Sequence, residues 1–461
     1  MSLSKYRIVR TGEHFYYDNE TNGLLDPDFR ALSSPIVVPD DYEDLYSQFR
    51  TNVKSNHPHL IKITLGHGCN YSCGYCMQKD IGNPNERPPN GLTPALIKNM
   101  RENFDLSKIE RIELWGGETL LYWKDMMPIM EAFDREGLTW YIPTNGTPLM
   151  QKHIDFLMQL KGKTAFGISH DGPAHESTRG KEFIHKKIDV FRCIQDECFP
   201  KLQFSFNPVI SKTNYDLFKI NDFFHEFFQK NGLKQTTISY EVGRVYDETM
   251  AKNSTHHVIS GEHLEKYKVI LKAYLDAHLA QFKQIGAVKH GELLANSLFH
   301  TGMGVIPYTK LLKQQRIPLL KTSCGVDDSD LISMDINGNI RTCQNTDNHY
   351  VSGHVNDLKN VKLVGINLDR EDFCGTCPVY RLCKSSCPLD LGSAVFHTNH
   401  AVEYVHYSQI QQTAFKLLFN SEIELLERGI VTPYEPTYPK FPELNLVIPK
   451  KKARFIPIVA A

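Results

Sequence analysis

No stretch of the 461 residues approaches the roughly 18 uninterrupted apolar positions of a membrane helix, and the opening Met-Ser-Leu-Ser-Lys-Tyr-Arg has no apolar run to serve as an export signal. An excess of charge is missing too: 52 Lys and Arg stand against 53 Asp and Glu, a formal charge of −1. A general nucleic-acid binder carries a strong positive balance, so that class is set aside together with membrane attachment. The expectation is a soluble cytoplasmic protein. Its 41% apolar and 23% charged residues are ordinary for globular chains, and its length suggests two to four domains at roughly 100–200 residues each.

Against that background stand 11 cysteines. The number is odd and the cytosol keeps thiols reduced, which argues against a disulfide framework. Nine fall into two sets. Cys69, Cys73 and Cys76 share the run Gly-His-Gly-Cys-Asn-Tyr-Ser-Cys-Gly-Tyr-Cys; Cys324, Cys343, Cys374, Cys377, Cys383 and Cys387 form the second. At 11 cysteines in 461 residues, the four-cysteine spacing from Cys374 to Cys387 is expected about 0.0002 times by chance, so it needs a chemical reason. Thiolates select zinc or iron–sulfur clusters. The second set by itself is compatible with a closed zinc knuckle. The first offers three ligands and no nearby fourth; three thiolates on a 4Fe–4S cube leave one iron open to a small molecule. Cys193 and Cys198 match no motif and read as packing residues.

From about residue 58 the chain alternates strand-like and helix-like segments. Short apolar runs at Leu60–Leu65, Arg111–Trp115, Trp140–Pro143, Ala165–Ser169, Leu202–Ile210 and Thr236–Val242 read as strands. Helices are expected after Thr93-Pro94, over Asn214–Asn231 and over Gly261–Gln284. Six strand–helix units imply a parallel sheet, read as a partial (β/α)6 TIM-type barrel, with an open doubly wound sheet as the alternative. Polar residues follow successive strands: the cysteine triad, Gly116-Gly117-Glu118, Thr144-Asn145-Gly146, Ser169-His170-Asp171-Gly172 and Asn207. They would gather at the C-terminal ends of the strands, where barrel active sites lie. Asn337-Gly338, between two β-like runs, reads as a hairpin turn that brings Cys324 and Cys343 together. Before residue 58, Tyr6–Arg10 and His14–Tyr17 read as a hairpin and Asp41–Phe49 as a helix; Glu403–Glu427 reads as a helix near the C-terminus.

The triad in its Cys-x3-Cys-x2-Cys form, with Gly-Gly-Glu after the second strand, resembles the radical S-adenosylmethionine (SAM) enzymes. The second cysteine set resembles the SPASM extension carried by a subset of them. The resemblance spans about residues 58 to 400. It implies domains at 1–57 (an N-terminal segment that would cap the barrel or contact a peptide), 58–300 (partial barrel), 301–405 (iron–sulfur-binding SPASM extension) and 406–461 (helix and tail). It implies that Cys69, Cys73 and Cys76 hold a 4Fe–4S cluster whose open iron chelates SAM, that Tyr75 lies near the adenine, that Gly116, Gly117 and Glu118 meet the methionyl amine, and that Ser169 contacts the ribose. Asn145, Asn207 and, for the carboxylate, Arg192 are further SAM-contact candidates. Cys324, Cys343 and Cys387, and Cys374, Cys377 and Cys383, would hold one or two auxiliary Fe–S clusters. The family pattern has a seventh cysteine, and none follows Cys387 here; His397, His400 and Asp390 are the candidate substitutes.

The activity so implied is reductive cleavage of SAM to a 5′-deoxyadenosyl radical that abstracts hydrogen from a precursor peptide, with a flavodoxin- or ferredoxin-type electron donor as partner. His170, Asp171 and Gln344 are candidates for acid–base work. Rival readings are a formylglycine-forming sulfatase maturase, disfavoured because Gln344 stands where many of those enzymes carry Asp, a small-molecule radical oxidase, and a non-catalytic Fe–S or zinc redox sensor.

Overall fold

The structure is a computed structural model and describes residues 3–18, 23–30, 32, 54–76, 78, 92–236, 238–242, 259–285, 328–345, 351–361, 376–383 and 396–430. Cys324, Cys374, Cys387, Asp390 and the segment Asp41–Phe49 lie outside them.

Five strands form the parallel core: β4 (Leu60–Thr64), β5 (Arg111–Trp115), β6 (Thr139–Thr144), β7 (Lys163–Ile168) and β8 (Leu202–Phe206), paired in chain order. β4 and β5 are buried on both faces at their centres, while β6 and β8 bury alternate residues toward the helices and leave the residues between them partly exposed. The helices that cover it, among them Leu92–Asn103, Trp123–Phe133, Gln151–Leu157, Ile188–Asp196 and Leu217–Lys230, fall between the strands. The expected strand Leu202–Ile210 is broken at Asn207-Pro208, because Pro208 has no N–H to give the ladder. Its second piece, β9 (Val209–Ile210), pairs parallel with β10 (Glu241–Val242), and a parallel bridge joins Phe206 to Ile238. The sixth unit thus follows the fifth strand without closing a ring. This is the mixed α/β, partial-barrel architecture expected from the sequence.

The sheet also grows at its other edge. β11 (Leu331–Asp335) runs parallel to β4, with Leu331 opposite Leu60 and Asp335 opposite Thr64. β12 (Asn339–Arg341) and β13 (Val351–His354) continue it antiparallel, making eight strands in all. The β11–β12 turn is the one read at Asn337-Gly338. Gly338 sits at φ +86°, open to glycine at little cost, and Asp335 Oδ1 accepts from the N–H groups of Asn337 (2.9 Å) and Asn339 (3.1 Å).

The two ends of the described chain meet. β1 (Leu3–Ile8), β2 (His14–Asp18) and β3 (Gly23–Leu25) form a meander, and β14 (Ile423–Ile430) pairs antiparallel with β1. The helix expected to reach Glu427 instead spans Phe396–Phe419 and stops at Asn420, which adopts φ +48°. The left-handed residue turns the chain, and the residues that follow become strand. Phe415 of this helix packs against Tyr6, Phe15 and Tyr17 with ring centroids 5.2, 5.4 and 5.3 Å away. Tyr6 Oη donates to Gln411 Oε1 (2.5 Å), and Gln411 Nε2 donates to the Pro378 carbonyl (2.9 Å), so this terminal sheet covers the turn between Cys377 and Cys383. Among the described residues, no helix is long and apolar enough to cross a membrane.

Candidate active site

The loop after β4 carries Cys69, Cys73 and Cys76, and it is fixed at both ends. Its first half rests on the Gly-Gly-Glu that follows β5. Gly117 N–H donates to the Gly66 carbonyl (3.0 Å), Glu118 N–H to the Gly68 carbonyl (2.8 Å), and Gly68 N–H to Tyr122 Oη (2.6 Å). A Cβ on Gly117 would lie 2.3 Å from the His67 carbonyl oxygen and 2.5 Å from that of Gly68. The glycine is therefore demanded by the close approach of two backbones.

Glu118 is 1% exposed and turned inward. Its carboxylate accepts from Leu120 N–H (2.9 Å), Thr144 Oγ1 (2.6 Å) and Asn145 N–H (2.5 Å). Burial outweighs these bonds and pushes its pKa up to about 7. Its geometry makes it a clamp between the ends of β5 and β6. Asn145, held by that clamp, donates through Nδ2 to Asn70 Oδ1 (2.7 Å) and lies 3.9 Å from Cys69 Sγ.

The second half of the loop is tied to the segment after β7. Tyr75 Oη donates to Asp171 Oδ2 (2.5 Å), Gly74 N–H to the Thr178 carbonyl (3.3 Å), and Cys73 Sγ lies 4.0 Å from the Arg179 carbonyl. Asp171 is fully buried, forms an ion pair with Arg179 (Nε 3.0 Å away) and accepts from Thr178 Oγ1 (2.6 Å) and Val209 N–H (2.9 Å). Burial alone would raise its pKa, but the Arg179 guanidinium and these hydrogen bonds hold it below the usual carboxylate range. Arg179 also lies over the Tyr75 ring, 5.3 Å from its centroid.

His170 is buried as well. Its Nδ1 accepts from Gly172 N–H (3.0 Å), so Nε2 carries the proton given to Glu182 (3.0 Å), and its ring stacks 4.0 Å from that of His175. Neither His170 nor Asp171 presents a polar atom to solvent; both act in holding the strand-end segments. Ser169 and Asn207 stand at neighbouring strand ends, linked through the Ser169 N–H to the Thr144 carbonyl and the Asn207 N–H to the Ile168 carbonyl, both 2.8 Å.

Arg192 corrects the sequence reading. It lies on the outer helix Ile188–Asp196, exposed, with its guanidinium on Asp189 (3.1 Å) and the Asn231 carbonyl (3.1 Å), and does not reach the loop. Arg179, which sequence reasoning passed over, is the arginine beside the cysteines; its place directly after the short helical turn His175–Thr178 carries no motif signal.

Inside the sheet's concave face lies a cavity of about 840 Å³, lined among others by Lys62, Glu113, Trp115, Tyr141, Asn207 and Gln344. Glu113 accepts from Trp115 Nε1 (2.8 Å) and forms ion pairs with Arg111 (Nε 3.0 Å away) and Lys62 (Nζ 3.8 Å away). Trp115 lines this cavity and directly precedes the glycines that carry the cysteine loop. At the hairpin edge, Thr64 Oγ1 donates to the Gln344 carbonyl (3.3 Å), and Gln78, two residues past Cys76, donates to Asn345 Oδ1 (2.9 Å). Cys343 is therefore carried to the same end of the sheet as the triad; its thiol lies 3.5 Å from Gln344 Oε1. Cys377 and Cys383 are both buried, and the helix Phe396–Phe419 sets Glu403, 1% exposed, 3.5 Å from Cys383 Sγ. Of the substitutes named from sequence, Asp390 and the His397 side chain are not described, and His400 is half-buried one turn before Glu403.

The donors suit a cluster. None of Cys69, Cys73 and Cys76 is joined in a disulfide. Burial pushes the Cys69 thiol up to about 11 and that of Cys73 to about 12, so thiolates there need a cation beside them. Among the described residues, only His59, Asp328 and Asp330 bring three ligand atoms within 4.8 Å of one another, so the triad's sulfurs are splayed wider than the about 3.8 Å edge of a single tetrahedral ion.

Residues 63–196, which include the triad and Gly116–Glu118, match the model of the Radical SAM superfamily. Over 356 residues the chain is 20% identical to the radical SAM cyclopropyl synthase TigE of Paramaledivibacter caminithermalis, covering 71% of this chain and 67% of that protein. It is 31% identical over 150 residues to molybdenum cofactor biosynthesis protein 1 of Bos taurus, covering 32% of this chain and only 23% of that protein. The solved structure of anSMEcpe with bound AdoMet and Cp18Cys peptide superimposes with a TM-score of 0.53 at 17% identity, covering 78% of this chain and 97% of that one. This last likeness is one of fold. Residues 63–196 thus match the radical SAM superfamily, within a mixed α/β sheet, and that family implies a 4Fe–4S cluster and SAM.

Proposed function

We propose that this protein is a radical SAM enzyme of the SPASM type that modifies a ribosomally made precursor peptide in the cytoplasm, drawing electrons from a flavodoxin- or ferredoxin-type donor. The observation that carries it is the cysteine loop clamped at the C-terminal end of the sheet, with the Cys343 hairpin added to the same sheet and a cavity of about 840 Å³ that runs from the strand starts at Arg111, Thr139 and Leu202 to Trp115, Asn207 and Gln344. That volume falls within the roughly 300–1,000 Å³ of small-ligand sites and would admit a side chain or turn of a peptide. Cys69, Cys73 and Cys76 would hold a 4Fe–4S cluster, and the chemistry it would supply there is the one-electron reduction of SAM. The chain's residues hold this site. Gly117 and Glu118 set the loop's first half, while Asp171 and Arg179 set its second. Asn145, Ser169 and Asn207 line up along the strand ends, where they would meet SAM, and Tyr75 would lie against its adenine. Cys343, Cys377 and Cys383, with Cys324, Cys374 and Cys387, would hold auxiliary clusters. That anSMEcpe was solved with a peptide bound supports a peptide substrate. Formylglycine formation is the weaker reading, because Gln344 offers an amide where a base is wanted.

The test is co-expression with the peptide encoded by the short open reading frame nearest this gene, followed by mass spectrometry of that peptide from cultures in normal and in deuterated water. A mass change, or deuterium at one α-carbon, that disappears in the Cys69→Ala variant is the expected result. An unmodified peptide, beside a chain that still cleaves SAM, would contradict the peptide reading and favour a small-molecule substrate.

A further inference from the structure

We propose that His59, Asp328 and Asp330 bind one divalent transition-metal ion at the N-terminal end of the sheet, opposite the cysteine loop, fastening the auxiliary hairpin to the barrel. His59 immediately precedes β4, and Asp328 and Asp330 precede β11, its parallel neighbour. One ligand atom from each comes within 4.8 Å of the other two. A six-coordinate ion with bonds of about 2.1 Å sets adjacent ligands about 3.0 Å apart and opposite ones about 4.2 Å apart, so the separations need shorten by at most about 1.8 Å to close the set.

The surroundings are those of a held site. The His59 N–H donates to the Asp330 carbonyl (3.0 Å), which locks the two strand starts together. Asp328 is 5% exposed, and its Oδ1 accepts from Asp330 N–H (3.1 Å); Asp330 Oδ1 accepts from Ser329 Oγ (3.1 Å). Each carboxylate therefore has one oxygen oriented by a neighbour, the outer support that metal ligands use. Lys54 Nζ donates to the carbonyls of Asp328 (2.7 Å) and Leu331 (2.8 Å), fixing the same backbone from behind. His59 and Asp330 also line a surface recess of about 420 Å³, through which a hydrated ion can arrive and keep its remaining waters. One imidazole with two carboxylates suits Mn2+, Fe2+ or Zn2+, and is a poor set for Ca2+, which takes only oxygen.

The site uses none of the cysteines, so it stands whether or not the chain cleaves SAM. The probe is Mn2+ alone, which binds sulfur poorly and leaves a six-line electron paramagnetic resonance signal when free. It would be titrated anaerobically into the cluster-loaded full chain, its His59→Ala and Asp330→Asn variants, and the Cys69→Ala/Cys73→Ala/Cys76→Ala variant. The expected result is one Mn2+ per wild-type chain, affinity at least about 10-fold weaker in His59→Ala and Asp330→Asn, and no change in the triple-cysteine variant. Mn2+ should raise the thermal midpoint of the wild type and leave that of Asp330→Asn unmoved. Asp330→Asn keeps the side chain's volume and its bond from Ser329, so it carries the comparison if His59→Ala fails to fold. Equal Mn2+ binding in wild type and Asp330→Asn, or no binding to wild type at 1 mM (roughly the weakest specific site of this kind), would overturn the proposal.

Discussion

Gly117→Ala is expected to leave a folded protein that neither holds iron at Cys69, Cys73 and Cys76 nor cleaves SAM at more than about one-hundredth of the wild-type rate. The new Cβ would sit 2.3 Å from the His67 carbonyl oxygen and 2.5 Å from that of Gly68, and both obstacles are backbone that cannot rotate aside. Either the end of β5 or the start of the cysteine loop must move. β5 is paired on both sides, with β4 and β6, so the loop yields. A movement of about an ångström at a site that positions reacting groups costs about 100-fold in rate, while overpacking costs the fold only about 1–3 kcal/mol. Gly137, at φ +81° with no atom near its Cβ direction, is a control glycine whose substitution strains the backbone without touching the loop. Iron per chain and deoxyadenosine formation, measured side by side for both variants, check the assignment; a Gly117→Ala chain with wild-type iron and turnover would remove Gly117 from the site.

Arg179→Met is expected to be the most destabilising single change near the site, about 3–5 kcal/mol, because it strands a carboxylate that has no access to water. Asp171 is 0% exposed and Arg179 Nε lies 3.0 Å from it. The double variant Asp171→Asn/Arg179→Met removes both charges and should lose less than the sum of the two single changes. The pH dependence has a defined sign. The folded chain depresses the Asp171 pKa below its ordinary value of about 3.8, so this pair's contribution is complete above that value and is lost as the pH falls through the lower folded one. Anaerobic denaturant titrations at neutral and acid pH read both effects. Tyr75 and Cys73 lean on the same segment, so the variant should also lose iron; an Arg179→Met chain of unchanged stability would mean that Asp171 is neutral in the fold.

What the sequence made legible is local. The cysteine spacings, the five core strands and the Asn337-Gly338 turn each depend on residues within a few positions of one another, where periodicity and turn chemistry act. What it hid is non-local. Nothing in Leu-Ile-Ser-Met-Asp says that β11 will lie parallel to β4, some 270 residues earlier, since backbone hydrogen bonds carry no sequence code. The pairing of β1 with β14 was hidden for the same reason, and it turned an expected helix end into strand. Side-chain direction was the other blind spot. Glu118, which the resemblance sets at the methionyl amine, is found buried, with its carboxylate accepting from Leu120, Thr144 and Asn145, partners the sequence does not announce. Arg192 and Arg179 are indistinguishable by type; only the fold sets one on an outer helix and the other against Tyr75. Glu403 had no motif at all and is found 3.5 Å from Cys383 because a helix from beyond the cysteine set folds back over it.

The most direct test of the central claim is anaerobic. The full chain is reconstituted with iron and sulfide, reduced with dithionite and given SAM, and 5′-deoxyadenosine is measured beside a Cys69→Ala/Cys73→Ala/Cys76→Ala variant. The account predicts deoxyadenosine from the wild type alone, with about four fewer irons per chain in the variant, the content of one 4Fe–4S cluster. No deoxyadenosine from a fully iron-loaded, reduced wild type, or zinc bound at the triad in place of iron, would contradict it and leave a structural-metal or redox-sensing protein in its place.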